Sequence, residues 1–450
     1  MTKGKRSDKS SPDSQAGIEP VSQEPLIPRW KPVTRVAFRF CLVYLGLFAL
    51  ATQISGSMIP NPWFEYRGLG KLWPVREVTF WIAQHVFGAS LGPNDAKAGG
   101  EPLFFWIQAF CLLIVSVLAT AIWSAMDRRR ENYVVLHKWF RLFIRFGLAS
   151  QMFEYGMTKL IPTQFPSPSL DTLVTPAGDL TLSALLWTSI GAAPAYEIFT
   201  GCIEVLGGVL LLLPRTTMLG ATVSLAAMMQ VFVLNMTYDI GLKLVSFHLI
   251  LLAVFLLAPD VPRFVDFFFR NRPTGASTQP QLFRTGGANR IALVAQIVFG
   301  LYLAGMYTYI NVKFWEVGGG GSPRSALYGI WNVEELSIDG QPRAPHLNDY
   351  DRRWRRVIFD APDKVTFQRT DDSFARYGAS VDNYGKTLAL TKGGSRNWKA
   401  NFTIERPSPD RLILDGEMDG SRIHVQLRAV EVDTIRLLNS TFRWVRPHDP

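Results

Sequence analysis

Two glutamates, Glu197 and Glu204, stand inside an apolar run in the stretch "EIFTGCIEVLGG". A carboxylate at the centre of a bilayer helix costs ~2.5–3.5 kcal/mol on insertion scales, so keeping two asks for a role. With Gly201 and Gly208 they fall on one helix face, where the glycines let a neighbouring helix approach closely. Further polar groups stand in or beside adjacent apolar runs: Glu154, Lys159, Asn235, Asp239, Lys243 and His248. Carboxylates beside a lysine and a histidine can bind a small polar ligand, pass protons, or hold helices together.

The elements that must position these residues are apolar runs of membrane-spanning length, roughly 20 residues each. They begin at Val36, Leu103, Trp139, Tyr196, Thr217, Leu242 and Ile291. Basic residues flank these runs in an alternating manner, at Lys31 and Arg35, Arg128 to Arg130, Arg215, and Arg263 to Arg290. By the positive-inside rule the N-terminus is then cytoplasmic, and the chain after Ile310 is extracytoplasmic. Residues 1–32 form a Ser-, Pro- and Lys-rich tail expected to be disordered.

This topology sets the depth of each polar group. The third span runs outward and the fourth inward, so Glu197 lies near the outer end and Glu204 about 10 Å deeper. Asn235 closes an outward span, and His248 lies about 7–8 Å below Lys243 on the inward one. The candidate residues therefore share the outer half of the bilayer, and a common polar pocket open to the outside is expected. Glu197, Asp239 and Lys243 lie near helix ends, where reaching the surface would explain them. Glu204 and His248 are deeper and are the stronger functional candidates. His248 is either a proton carrier or an interior histidine bonded to Glu204 or Asn235.

Composition sets further bounds. The chain has 450 residues and a net charge of +10, with 48% hydrophobic and 19% charged residues. That balance fits membrane segments joined to a soluble part, with the lipid bilayer rather than nucleic acid as the partner of the basic residues. Cys41, Cys111 and Cys202 all lie in apolar runs and form no CxxC pair. Neither a dithiol site nor a cysteine-based metal site is expected, and one buried histidine gives little support for a metal. No Gly-rich nucleotide fingerprint stands in a strand–helix context.

After "GGGGS", Gly318 to Ser322, the pattern changes. Residues 313–322 are expected to form a flexible linker. Short alternating segments follow, from "LYGIWNVEEL" to "FRWVR", with turn signals at Asp339-Gly340, Gly393-Gly394 and Asp419-Gly420. Residues 323–450 are thus expected to fold as an all-β domain, an antiparallel barrel. Gly329 and Trp331 on the first strand, with Arg443 near the end, resemble the lipocalin-like barrel, which implies a guanidinium stacked over the indole. The fold class that results is an α-helical membrane bundle of about seven spans followed by a lipocalin-like β-domain.

Residues 140–265 resemble the DoxX-like membrane proteins. The likeness rests on Gly156 and Lys159, on the Glu- and Gly-rich helix followed by Arg215-Thr216, on Lys243 and His248, and on Ala258 to Asp260. Residues 33–139 and 266–312 lie outside this four-helix unit. The resemblance implies a redox-linked membrane subunit with a redox partner, and Glu197, Glu204, Lys243 and His248 as site residues. A quinone is the carrier that such a site would suit, and a small sulfur compound is a second candidate. A scaffold whose outer barrel captures a lipid or protein, and a small-molecule carrier, are the alternatives.

Overall fold

A computed structural model describes residues 29–438, apart from 64–67, 93, 96–100, 275–280, 347–348, 350–352, 383–384 and 394, and also 444–445. The expected tail lies almost entirely outside these residues, as do Arg443 and Gly394. The helices are α1 (Pro32–Ala51), α2 (Gln53–Ser57), α3 (Val75–Val86), α4 (Leu103–Met126), α5 (Val134–Leu160), α6 (Leu170–Leu173), α7 (Leu182–Gly191), α8 (Pro194–Leu212), α9 (Thr217–Thr237), α10 (Lys243–Leu257), α11 (Val261–Phe268) and α12 (Gly286–Gly318). The strands are β1 (Gly329–Ile338), β2 (Gln341–Pro342), β3 (Trp354–Phe359), β4 (Lys364–Arg369), β5 (Phe374–Val381), β6 (Thr387–Lys392), β7 (Ser395–Ser408), β8 (Arg411–Met418) and β9 (Ser421–Val430).

Among the described residues, six helices are long and apolar enough to cross a membrane: α1, α4, α8, α9, α10 continued by α11, and α12. The seventh expected span, α5, is 27 residues long but carries Arg141, Arg145, Glu154 and Lys159. It can do so because it is the inner helix of the bundle, with those three basic side chains buried. A helix enclosed by its neighbours needs no uniformly apolar surface.

The two ends of the bundle differ. At one end Arg39 donates to Tyr133 Oη at 2.9 Å and to Asp127 O at 2.7 Å, tying α1 to the α4–α5 turn. Lys138 there donates to Leu282 O at 2.7 Å, ahead of α12. At the other end Glu101 accepts from Val245 N at 3.0 Å, placing a carboxylate on the N-terminus of α10. Tyr307 on α12 bonds to Ser57 O, and Thr163 to Asn311. The basic loops therefore gather at the first end.

Eight strands close into an antiparallel barrel because β9 pairs with β1, and the two-residue β2 only extends β1. Closure leaves no long unpaired edge. Side chains alternate, and Trp331, Val357, Phe367, Leu390, Leu414 and Val425 fill the interior. The Asp339-Gly340 and Asp419-Gly420 turns have positive φ at both residues, the tight hairpin geometry that this dipeptide favours.

Two expectations need correction. β5, "FARYGASV", is a barrel strand that the expected segments omit, while "FRWVR" lies largely outside the described residues. The expected stacking partner Arg443 lies outside the described residues; among those described, the Arg406 guanidinium lies 5.8 Å from the Trp331 ring centroid, and the indole N–H donates to Leu327 O. Finally, residues 313–318 are not linker but the last turns of α12. The glycines that follow fold back on Trp315: Gly321 N donates to Trp315 O at 3.2 Å, and a Cβ on Gly321 would lie 2.3 Å from the indole. Glycine serves there for close approach to an aromatic ring.

The barrel rests on the loop between α5 and α8. Ile330 and Ile358 face each other across β1 and β3 on the outer face of the barrel, yet each is only 1% exposed. Leu170 of α6 covers them. Polar contacts surround this apolar centre: Leu170 N donates to Asp360 at 3.2 Å, Gln368 to Val174 O at 3.3 Å, and Arg376 to Asp171 at 3.1 Å.

Candidate intramembrane polar site

Glycine brings α5 and α8 together. A Cβ on Gly201 would lie 2.7 Å from Gly156 O, and one on Gly156 would lie 2.7 Å from Val205 Cγ2. Only at that spacing can Lys159 reach across, its Nζ lying 2.7 and 3.0 Å from the two carboxylate oxygens of Glu204. Both side chains are buried. In a low-dielectric interior such a pair must satisfy its own charges, since neither ion can turn to water.

Glu197 lies seven residues earlier on the same face. It does not reach the surface as its place near the helix end suggests, but is completely buried. Its Oε1 accepts from Phe165 N at 3.0 Å, which anchors the loop leaving α5. Its Oε2 is buried and has no hydrogen-bond partner among the described residues.

The polar region continues toward α2 and α12. Gln53 donates to Gln151 at 3.1 Å and to Tyr155 Oη, while Gln151 donates to Glu154. Glu154, Glu204 and Glu101 all lie within electrostatic range of the Tyr155 hydroxyl. Gln53, Gln151 and Tyr155 were not singled out from the sequence. An amide or phenol in an apolar run bears no formal charge, so it stands out less there than a carboxylate or a lysine does.

The other candidates lie elsewhere. Asn235 donates to Leu242 O at 3.3 Å and to Ser246 Oγ at 3.2 Å, clipping α9 to α10. Asp239 pairs with Lys243 at 2.6 Å, at the exposed turn between these helices. His248 is bonded neither to Glu204 nor to Asn235. Its Nε2 meets Tyr44 Oη of α1 at 2.8 Å, its Nδ1 meets Leu244 O at 2.7 Å, and its ring stacks on Phe48 at 3.5 Å. The polar region is thus assembled from α2, α5, α8 and α12, with α9 and α10 closing their own contacts.

Asp260 closes the Ala258–Asp260 motif. It is 1% exposed and takes Arg263 at 2.9 Å and Arg141 at 3.4 Å.

A stretch of 134 residues is 33% identical to the uncharacterized protein YwoB of Bacillus subtilis (strain 168), covering 82% of that protein and 30% of this chain. This chain belongs to the YwoB family. No family model matches the sequence, and no solved structure does either. The relative brings no activity with it, so function rests on the geometry of this chain.

Proposed function

We propose that this chain is an integral membrane protein built on a DoxX-like four-helix unit, α5 and α8–α10, which acts as a binding and assembly platform for its β-barrel. The observation that carries this reading is the seating of the barrel on α6, with Ile330 and Ile358 buried under Leu170. A tethered domain on a flexible linker would need no such surface. The barrel interior is filled by side chains, so partners meet its outer face. The N-terminus is cytoplasmic and the barrel extracytoplasmic in this reading. The basic loops gathered at the opposite end of the bundle support that orientation.

The unpartnered Oε2 of Glu197, beside the Lys159–Glu204 pair, favours a second reading. Here the polar region takes a small hydrogen-bond donor, as a redox-linked subunit handling a reduced quinone or a sulfur compound would. One experiment separates the two. The protein is extracted in native lipid patches, and co-purifying molecules are identified by mass spectrometry in the parent, Leu170→Asp and Glu197→Gln. A protein subunit held by the parent and lost from Leu170→Asp supports the platform. A quinone or sulfur metabolite lost only from Glu197→Gln supports the redox site. If both variants retain everything the parent retains, neither reading stands.

A further inference from the structure

Arg145 lies about 16 Å along α5 from Val134, well inside the bundle. It is 7% exposed. Its guanidinium donates to Gln296 Oε1 of α12 and, at 3.3 Å, to Thr217 Oγ1 of α9. The Nε has no partner, and among the described residues no carboxylate pairs with it. Arg141, one turn away, is held by Asp260. Among the described residues, Arg145 is therefore a buried cation without a counter-ion. An isolated charge in an apolar interior is costly, and an anion is the natural compensation.

A groove of about 540 Å³ runs between α5 and α12, and Gln296, which accepts from Arg145, stands in its wall. Its walls include Leu142, Phe146, Phe283, Ala292, Ala295 and Phe299. The volume falls within the ~300–1,000 Å³ range of small-molecule sites. Gln296 supplies the only polar side chain in the wall, and it is the residue that holds Arg145. Phe146, also in the wall, lies under the guanidinium, with Cζ 5.1 Å from its ring centroid.

We propose that this groove binds the acyl chain of a fatty carboxylate, with its head at Gln296 and compensated by Arg145. The argument is one of complementarity. A wall so nearly apolar takes a hydrocarbon chain and has no surface for a glycerophosphate head. Gln296 Nε2 gives one hydrogen to Ala292 O at 2.9 Å, which leaves the other for a carboxylate oxygen, and the Arg145 guanidinium held by its Oε1 matches the single negative charge. The site is separate from the Lys159–Glu204 region and does not depend on the platform reading.

The test uses the full-length protein in lipid nanodiscs with three probes of equal chain length: carboxyl-labelled oleate, oleyl alcohol and oleoyl lysophosphatidate. Oleate is expected to bind about tenfold or more tightly than the alcohol, the difference that a charge-assisted hydrogen bond supplies. Arg145→Gln should abolish that preference, and Arg145→Lys should keep part of it. Ala295→Phe fills the groove without touching Arg145 and should prevent oleate binding while the protein stays folded. Equal binding of acid and alcohol, tighter binding of the lysophosphatidate, or oleate binding unchanged in Ala295→Phe would each overturn the proposal.

Discussion

Lys159 and Glu204 meet at 2.7 Å across a close helix contact, where Gly156 and Gly201 face each other. This relationship answers the puzzle of a glutamate in mid-helix. Glu204 is tolerated because α5 supplies its counter-ion, and the counter-ion reaches it because two side chains are missing at the crossing.

Removing one partner of this pair should therefore be worse than removing both. Lys159→Met or Glu204→Gln alone leaves or creates an uncompensated polar group and should cost ~3–5 kcal/mol. The double variant Lys159→Met, Glu204→Met should recover much of that loss. Thermal unfolding in detergent measures it, and strictly additive losses would show that the two residues do not act as a pair.

The glycine contact makes its own prediction. Gly201→Ala places a methyl 2.7 Å from Gly156 O and should cost ~1–3 kcal/mol by overpacking. Gly305→Ala, on α12 with no neighbour within 4 Å, should be neutral or slightly stabilising. If the two variants unfold at the same temperature, the close crossing of α5 and α8 is wrong.

His248 should behave as an interior packing residue coupled to α1. Tyr44→Phe removes the hydrogen bond to Nε2 and should cost ~1–3 kcal/mol. In double-mutant cycles, His248 and Tyr44 should couple, whereas His248 and Glu204 should add within ~0.5 kcal/mol. Strong coupling between His248 and Glu204 would restore a single shared site.

What the sequence revealed follows from the strength of each physical signal. Charges in apolar runs stand out, so Glu197, Glu204 and Lys159 were found, and their common region with Glu154 follows from helical spacing. Which helix faces which is not written in spacing. Asn235 and His248 sit at a similar expected depth, yet they turn to Ser246 and Tyr44. Arg145 escaped notice because the basic residues nearby suit the positive-inside rule, which explains charge at a helix end but not a guanidinium buried within. In the barrel, alternation located the strands, except for β5, where Gly378 and the small residues around it dilute the pattern. The run Val357-Ile358-Phe359 breaks alternation in β3, and this is the trace of the docking face: its middle residue points outward and is still buried.

That docking face gives the fourth prediction. Leu170 is 1% exposed, and a carboxylate in its place would lie against Ile330 and Ile358. Leu170→Asp should release the barrel from the bundle while leaving the barrel folded, since the barrel core does not include Leu170. Each isoleucine so exposed forfeits up to ~1.5–3 kcal/mol. Limited proteolysis between Gly318 and Tyr328 should become faster, with the barrel recovered as an intact fragment. Unchanged cleavage would mean that the barrel is not held by this surface.

The same surface should respond to acid in two steps of opposite sign. Burial pushes Asp360 above the usual carboxylate range. Burial acts on Asp171 in the same direction, but the Ser169 hydroxyl and the Arg376 guanidinium outweigh it and hold Asp171 below that range. A raised Asp360 favours the docked, protonated state, a contribution lost as pH rises through its docked value. The Ser169 bond lies within the loop and persists without the barrel. Only the part of the depression due to Arg376 therefore favours docking above the ordinary aspartate pKa of ~3.9, a contribution lost as pH falls through the docked value. Acidification from neutrality should therefore tighten docking slightly and then loosen it below ~3.9. Because Arg376 is largely exposed, the loosening is worth no more than ~1 kcal/mol. Energy transfer between fluorophores on the barrel and on α9 reads the docked fraction in Leu170→Ala, where docking is weakened enough to respond. The acid step should vanish when Asp171→Asn is added, and its persistence there would assign the acid response to other groups.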